Sequence, residues 1–399
     1  MLLGHMKDPR WPAEEEALED ARRFLTELKG RRVVVAPHPG VDGLAAAALV
    51  IRALQAVGAR VTARVPGKGE HAYSPSFQER LRAPPPDALV VLERGSKPGP
   101  PRATAEEAHH PGASAETSPA PGTLEAGGQG RSHAGPPEGL MPAPRGAPSV
   151  SPAVPTLVIA PQAEAARASG SMVLSARDLE PAVSCSLLAY ALVSPHVVPG
   201  PLEWLAVLGT VADQGVDAPI PFLKDALRRA GRTAVTESVA LLNAARRSSR
   251  FAAPVALEVL LRAGSATDIT RGNVPGVDTL HDCRLEVQRE VLRCSKTPPR
   301  IASPVALLLF SSEAQVHPQV AVRWAQRLPE HIIIAANAGY LPGRVDFAVR
   351  SRVKVDLDVL SPNATGGSLS REEFLRFTAR LGFKGLRDID VERRGAFPG

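Results

Sequence analysis

Apolar runs alternate with amphipathic stretches along the first third of the chain, and this alternation predicts strands followed by helices. Short runs rich in Val, Ile and Leu predict strands at 31–36, 60–65, 87–92 and 156–160. Stretches with apolar residues on one side predict helices at 14–28, 44–57 and 75–82. Strands and helices in strict alternation are typical of a doubly wound parallel sheet, so we expect an α/β protein.

The remainder of the chain continues this pattern with more helix. Helices are predicted at 184–193, 202–212, 235–247, 255–261 and 277–293. A second α/β unit begins near 304, with strands predicted at 305–310, 332–336 and 343–350, helices at 317–327 and 370–381, and a Gly366-Gly367-Ser368 loop before the last helix. A smaller C-terminal α/β domain is therefore expected.

Residues 97–155 break the pattern, because Pro and Gly make up more than a third of them and apolar periodicity is lost. Such a segment buries too little surface to offset its chain entropy, and we expect a disordered insertion. The predicted organisation is a leading helix at 1–30, a first domain at 31–262 that contains the insertion, a connecting helix at 263–300 and a second domain at 301–399.

Composition sharpens this picture only slightly. Hydrophobic residues make up 44% of the 399 residues and aromatic residues 4%, so the core must be built from Ala, Val and Leu. The net charge of +6 favours anionic partners only weakly, and solvated arginine-rich surfaces are the simpler explanation. The three cysteines have no disulfide or zinc spacing, and neither a signal peptide nor a membrane span is predicted. We expect a cytoplasmic protein.

Chemically capable side chains stand where predicted strands and one helix end. His38 and Asp42 follow the first strand, Glu93 follows the third, and Asp213 ends a helix. Ligands of parallel sheets bind beyond the carboxyl ends of the strands, so we expect these groups to converge. Carboxylates and imidazole suit Mn²⁺ or Mg²⁺, and a pair of such ions clamps a phosphoryl group and activates water. A plain helix cap is the alternative for Asp42.

The order of these motifs resembles that of the DHH-superfamily phosphoesterases over most of the chain. Four stretches carry the N-terminal resemblance: His38-Pro39-Gly40-Val41-Asp42-Gly43, Val90-Val91-Leu92-Glu93, Ala160-Pro161-Gln162 and Gly209-Thr210-Val211-Ala212-Asp213. The C-terminal unit is similar to the DHH-associated domain, with Arg350-Ser351 and Gly366-Gly367 at the matching places. The resemblance implies that Arg350, Ser351, Gly366 and Gly367 bind substrate.

The resemblance also implies a metal site, from which this chain departs. His38, Asp42, Glu93 and Asp213 would hold one or two ions of Mn²⁺ or Mg²⁺, with Asp42 and Asp213 counted as catalytic. Gly40 and Gln162 occupy positions where the family has an Asp and a His. Glu164 and Asp178 are candidates to replace the missing ligands, whereas His109-His110 lies in the predicted insertion and has no preceding strand.

Two functions follow from this divergent site. One is hydrolysis of a phosphodiester or phosphoanhydride of a small nucleotide or oligonucleotide by metal-activated water, with impaired activity. The other is a pseudoenzyme that binds a nucleotide or nucleic acid without turnover. Single-stranded nucleic acid has little support, because the chain is poor in the aromatic residues on which bases stack. A homodimer is kept as an alternative to a monomer.

Overall fold

The structure is a computed structural model that describes residues 8, 10–92, 154–162, 171–176, 179–197, 200–220, 222–352, 366–387 and 390–391. Several predictions made from the sequence lie outside these ranges. They are the insertion up to residue 153, Glu93, His109-His110, Glu164 and Asp178. Within the described residues, no helix is long and apolar enough to cross a membrane.

The first sheet is parallel throughout the described residues and has the strand order β2-β1-β3-β4-β5. Its strands are β1 (Arg32–Pro37), β2 (Arg60–Ala63), β3 (Ala88–Leu92), β4 (Thr156–Ile159) and β5 (Met172–Leu174). The central strands are buried on both faces, which explains why their sequences are continuous apolar runs. The sequence pattern missed β5, because three residues are too few to show periodicity.

Three helices of this half of the chain are buried on nearly all sides and two bury one side only. They are α1 (Glu15–Glu27), α2 (Val41–Ala56), α3 (Pro75–Arg82), α4 (Cys185–Val193) and α5 (Glu203–Gln214). Helix α2 packs against both α4 and α5, and its alanines permit a close approach. Helix α2 begins at Val41 and not at the predicted Leu44. The prediction started the helix at the apolar run, whereas polar Asp42 also belongs to its first turn.

A helical region connects the two sheets. Its members are α6 (Leu223–Ala230), α7 (Arg232–Arg247), α8 (Ala253–Arg262), α9 (Ala266–Thr270) and α10 (Val277–Cys294). The sequence pattern predicted α7, α8 and α10 but missed α6 and α9. Helix α9 spans only five residues, and α6 ends at Gly231, whose φ of +84° separates it from α7.

The second sheet is mixed, with the strand order β10-β9-β8-β7-β6. Its elements are β6 (Arg300–Ala302), β7 (Val305–Phe310), α11 (His317–Arg327), β8 (Ile332–Asn337), β9 (Arg344–Arg350), β10 (Gly366–Ser370) and α12 (Arg371–Arg380). Among them, β7 and β8 form the parallel pair, and the other neighbours are antiparallel. This arrangement confirms the predicted fold class, a parallel α/β domain followed by a smaller α/β domain.

One local prediction in this sheet was wrong. Gly366 and Gly367 lie in strand β10, paired with Ala348 and Phe347, and not in a loop. Gly366 has a φ of +129°, and a Cβ there would lie 3.0 Å from the Cα of Ala348 and collide with the carbonyl oxygen of Phe347. A glycine pair therefore serves here to let one strand pass close to another, which the sequence alone cannot distinguish from a turn.

Aliphatic side chains dominate the core, as the low aromatic content predicts. The largest cluster of buried side chains extends from α1 and the first sheet through the helical region to one face of the second sheet. A separate cluster lies between the other face of the second sheet and α12, where Phe347, Phe374 and Phe377 contact one another. The domain boundaries predicted near residues 262 and 300 stay predictions.

Candidate functional site

The candidate site lies at the carboxyl end of β1, where the chain turns into α2. His38 follows the last residue of the strand, and Asp42 lies one residue inside the helix. A Cβ at Gly43 would lie 2.9 Å from the Cβ of His38, so the glycine allows the helix to start against this turn. Gln162 is exposed just beyond β4, at the place where the family has a histidine.

Asp42 is bound by the backbone at the N-terminus of α4. Its Oδ2 accepts the N–H of Cys185 at 2.8 Å, and its Oδ1 accepts the N–H of Ser186 at 2.9 Å. The first N–H groups of a helix have no partner within the helix, and a carboxylate is well suited to accept them. Asp42 is 6% exposed and therefore acts as a buried cap. Asp42 is thus a helix cap, as the alternative prediction had it, but it caps α4 and not α2, the helix to which it belongs.

Three buried hydroxyl groups extend this contact between α4 and α5. The Oγ of Ser184 caps α4 by accepting the N–H of Leu187 at 3.2 Å. It also lies 2.8 Å from the Oγ1 of Thr210 and 3.1 Å from the Oγ of Ser186. Sequence reasoning missed both serines. The available signal was a serine directly before the apolar run of α4, which is a typical helix start.

Asp213 lies near the end of α5, partly buried, and its charge acts on Asp42. Burial, followed by repulsion from the Asp213 carboxylate, raises the pKa of Asp42 to about 7. The hydrogen bonds from Ser186 and Cys185 oppose this rise. The structure therefore brings the two predicted catalytic carboxylates together, but in surroundings that favour a proton on Asp42.

His38 has a hydrogen bond that fixes its tautomer. Its Nδ1 accepts the backbone N–H of Gly40 at 3.0 Å, which places the proton of the neutral ring on Nε2. A histidine that binds a metal through Nε2 carries its proton on Nδ1 and donates it to a neighbouring acceptor. The observed bond is the reverse of that arrangement.

The described residues, as arranged here, do not fit a two-metal centre. Each oxygen of Asp42 accepts an amide N–H, and the Nδ1 of His38 accepts another, so all three atoms already have a backbone partner. Across the described ranges, no three His, Cys, Asp or Glu side chains come together as a cation site. The assignment of His38, Asp42, Glu93 and Asp213 as metal ligands stays a prediction, as does the use of Mn²⁺ or Mg²⁺.

The predicted substrate-binding residues cluster around the end of β9. Arg350 is the last residue of the strand, Ser351 follows it, and β10 passes beside them. The Nη1 of Arg350 donates to the carbonyl oxygen of Val349 at 2.6 Å, and burial lowers the pKa of the guanidinium. Their role as substrate-binding residues stays a prediction.

A polar cluster that sequence reasoning missed lies near the ends of β7 and β8. The Nζ of Lys68 donates to the carbonyl oxygen of Glu313 at 2.6 Å and lies 4.6 Å from the ring centroid of Tyr340. Burial raises the pKa of nearby Asp346 to about 6, against the effects of Ser368, Arg344 and Lys68. These residues come from distant parts of the chain, and no local motif indicates them.

Comparison with known proteins supports the fold more than any activity. No family model matches the sequence, and no curated protein does either. A structure of exonuclease RecJ bound to manganese is similar, with a TM-score of 0.54 and 16% identity over 96% of this chain and 95% of that one.

Two further structures are similar at this level. RecJ from Thermus thermophilus in complex with Mn²⁺ has a TM-score of 0.54 and 16% identity over 96% of this chain, which spans 55% of that RecJ. The DHH domain of a protein assigned to a family of ribosomal proteins has a TM-score of 0.55 and 12% identity, with 93% of this chain and 90% of that one covered. Together with the motif order, these likenesses show that the chain has the fold of the DHH superfamily.

Proposed function

We propose that this chain is a DHH-fold binding protein that holds a phosphorylated nucleotide and has lost or nearly lost hydrolysis by two metal ions. The observation that carries the proposal is the double hydrogen bond from the N-terminus of α4 to Asp42. The carboxylate that the family resemblance assigns to metal binding is used here to join two helices.

The charge state of Asp42 supports the same proposal. Burial and the nearby Asp213 carboxylate raise the pKa of Asp42, so its protonated form is favoured more than in an exposed aspartate. A metal ligand must be deprotonated, so an ion would have to displace a proton from Asp42 and share its oxygens with two amide N–H groups. Gly40 and Gln162 supply no charge that would offset this cost.

The proposed ligand is a small nucleotide or oligonucleotide whose phosphate binds Arg350, with Ser351, Gly366 and Gly367 beside it. A guanidinium pairs with phosphate through two parallel N–H groups, and burial strengthens such a pairing. The fold shared with an exonuclease supports the nucleotide class. We also propose a cytoplasmic location, where cysteines without a disulfide partner, such as the three buried ones in the described residues, stay reduced.

A working phosphoesterase is the competing function, and the closeness of Asp42 and Asp213 is the observation in its favour. In that case His38, Asp42, Glu93 and Asp213 would bind Mn²⁺ or Mg²⁺, and the ion would supply Lewis-acid activation of water. In this alternative the ion shares the oxygens of Asp42 with the two N–H groups of α4.

Calorimetry and a hydrolysis assay on the full chain separate the two functions. The probes are MnCl₂ alone, the dinucleotide pApA, and bis(p-nitrophenyl) phosphate, each with wild type, Asp42→Asn and Asp213→Asn. We expect pApA to bind without Mn²⁺, and no turnover that either substitution removes. Manganese-dependent hydrolysis that disappears in both variants would refute the proposal and establish the enzyme. Absence of pApA binding in the wild type would refute the nucleotide ligand.

A further inference from the structure

Helix α10 has an apolar stripe on its exposed side in addition to its buried face. Leu285 is 56% exposed and Leu292 is 54% exposed, and they lie seven residues apart, two turns along the same side of the helix. Val277, Leu280, Cys283, Val287, Val291 and Cys294 form the buried side. Single exposed leucines are common, but two aligned on one helix form a surface that another helix can cover.

The exposed charges beside this stripe are segregated by sign, whereas half-buried Arg284 and Glu290 have ion pairs within the chain. The first half of the exposed side carries Asp278 and Asp282, and it has no exposed Lys or Arg. The second half carries Arg289 and Arg293, with Lys296 just beyond the helix, and no exposed Asp or Glu. A surface that is acidic at one end and basic at the other is complementary to a copy of itself turned end for end.

A groove of about 630 Å³ lies beside the same helix, and Leu285 of the apolar stripe is part of its lining. The lining also includes side chains of both charges: the arginines Arg250, Arg289 and Arg293, and the acidic Asp282, Glu286, Glu290 and Glu313. Asp282 has an ion pair within the chain, to Arg250 at 4.0 Å, and both side chains are about two-thirds exposed. Such a pair is weak and leaves the carboxylate available to a second cation.

We propose that two copies of this chain associate through antiparallel α10 helices, with Leu285 of one copy opposite Leu292 of the other. In this register Asp282 lies beside Lys296 of the second copy, and the acidic half of each helix faces the basic half of the other. The two-fold axis passes between residues 288 and 289.

The expected dimer is weak. Helix α10 has 18 residues and is about 27 Å long, so one helix pair covers less than the roughly 800 Å² per partner of a standard interface. Association should therefore depend on protein concentration in the micromolar range and weaken as salt screens the charged ends.

Sedimentation velocity of the full chain at about 5 to about 200 µM tests the proposal. We expect a concentration-dependent dimer in the wild type and at least a tenfold weaker association in Leu285→Asp. Ile301→Asp is the matched control, because Ile301 is 57% exposed but belongs to strand β6 and not to helix α10. A monomeric wild type over this range, or an unchanged dimer in Leu285→Asp, would overturn the proposal.

A charge exchange tests the register itself. Asp282→Lys should weaken association, since it places two cations together, and Lys296→Asp should do the same with two anions. The double variant restores opposite charges and should recover most of the lost association. Both positions are exposed, so folding is monitored by circular dichroism and should not change. A double variant that associates no better than the single variants would contradict the antiparallel register.

Discussion

Gly209 of α5 lies so close to Asp42 of α2 that a Cβ on the glycine would be 2.8 Å from the Oδ1 of the aspartate. The same Cβ would lie 2.6 Å from the Cβ of Ser186 in α4. Three helices therefore meet at one carboxylate, and a hydrogen side chain at position 209 is what allows them to approach. The glycine of the Gly209-Thr210 motif has a packing role here, whatever the site binds.

Gly209→Ala should destabilise the protein by about 1–3 kcal/mol, because the added methyl group overfills a closely packed contact. The midpoint of urea unfolding measures this effect. Gly200→Ala is the control, since nothing lies within 4 Å of the Cβ it would add. Equal stability of the two variants would mean that α5 can move away from Asp42 freely.

Arg52→Met should lower the free energy of unfolding by about 1–3 kcal/mol, because the guanidinium donates hydrogen bonds to carbonyl oxygens at the end of helix α8. The Nη2 of Arg52 lies 3.3, 3.0 and 2.9 Å from the carbonyl oxygens of Leu260, Leu261 and Ala263, which lie at the helix end, where the helix itself offers no donor. Thermal or urea unfolding measures the loss. Arg271→Met removes an exposed arginine as a control and should be close to neutral.

His317 should make folding stability fall as the medium becomes acidic. Burial, followed by the charges of Arg247 and Arg246, lowers the pKa of His317 from 6.5 to about 3. Below pH 6.5 the unfolded chain therefore binds a proton at His317 that the folded chain does not bind. The free energy of unfolding decreases from there towards pH 3. At about pH 5 this effect amounts to about 2 kcal/mol.

The comparison of wild type with His317→Gln isolates this effect, because all other titrating groups are shared. Urea unfolding at about pH 7.5 and about pH 5 should show a larger loss in the wild type than in the variant. The same loss in both proteins would mean that His317 also takes up a proton in the folded state, for example through opening of the α11 N-terminus.

Arg350→Ala should weaken binding of pApA by at least about tenfold, because a buried guanidinium that pairs with phosphate contributes more than an exposed one. Arg350→Lys should recover part of the affinity, since it keeps the charge but loses the planar fork. Calorimetry measures both. Unchanged affinity in Arg350→Ala would place the nucleotide elsewhere, and Arg344→Ala on the same strand is the matched control.

Local sequence patterns were enough to predict the framework of the fold. Helix 317–327 was predicted with the observed bounds, and the strands at 305–310 and 87–92 differ by one residue at most. These elements have strong apolar patterns that one window of residues shows completely. The motif order then indicated the superfamily fold, which the similar structures confirm.

The chemistry of the candidate site could not be read in the same way. Cys185, whose N–H binds Asp42, is 143 residues away along the chain, and no spacing rule connects them. An aspartate before a glycine at a helix start is equally compatible with a ligand and with a cap. The tautomer of His38 likewise depends on one backbone N–H, which only the folded turn places beside the ring.

The parallel pairing of β3 and β4 has a consequence for the length of the chain between them. Leu89 is paired with Thr156 in the parallel strand β4. The polypeptide therefore leaves the carboxyl end of β3 after Leu92 and must return to the amino end of the sheet to enter β4. That return path is roughly 15 Å, and about a dozen residues can bridge parallel neighbours. The sheet therefore sets only a short minimum for this connection, and evolution is free to lengthen or replace residues 93–155 without altering the order of the strands.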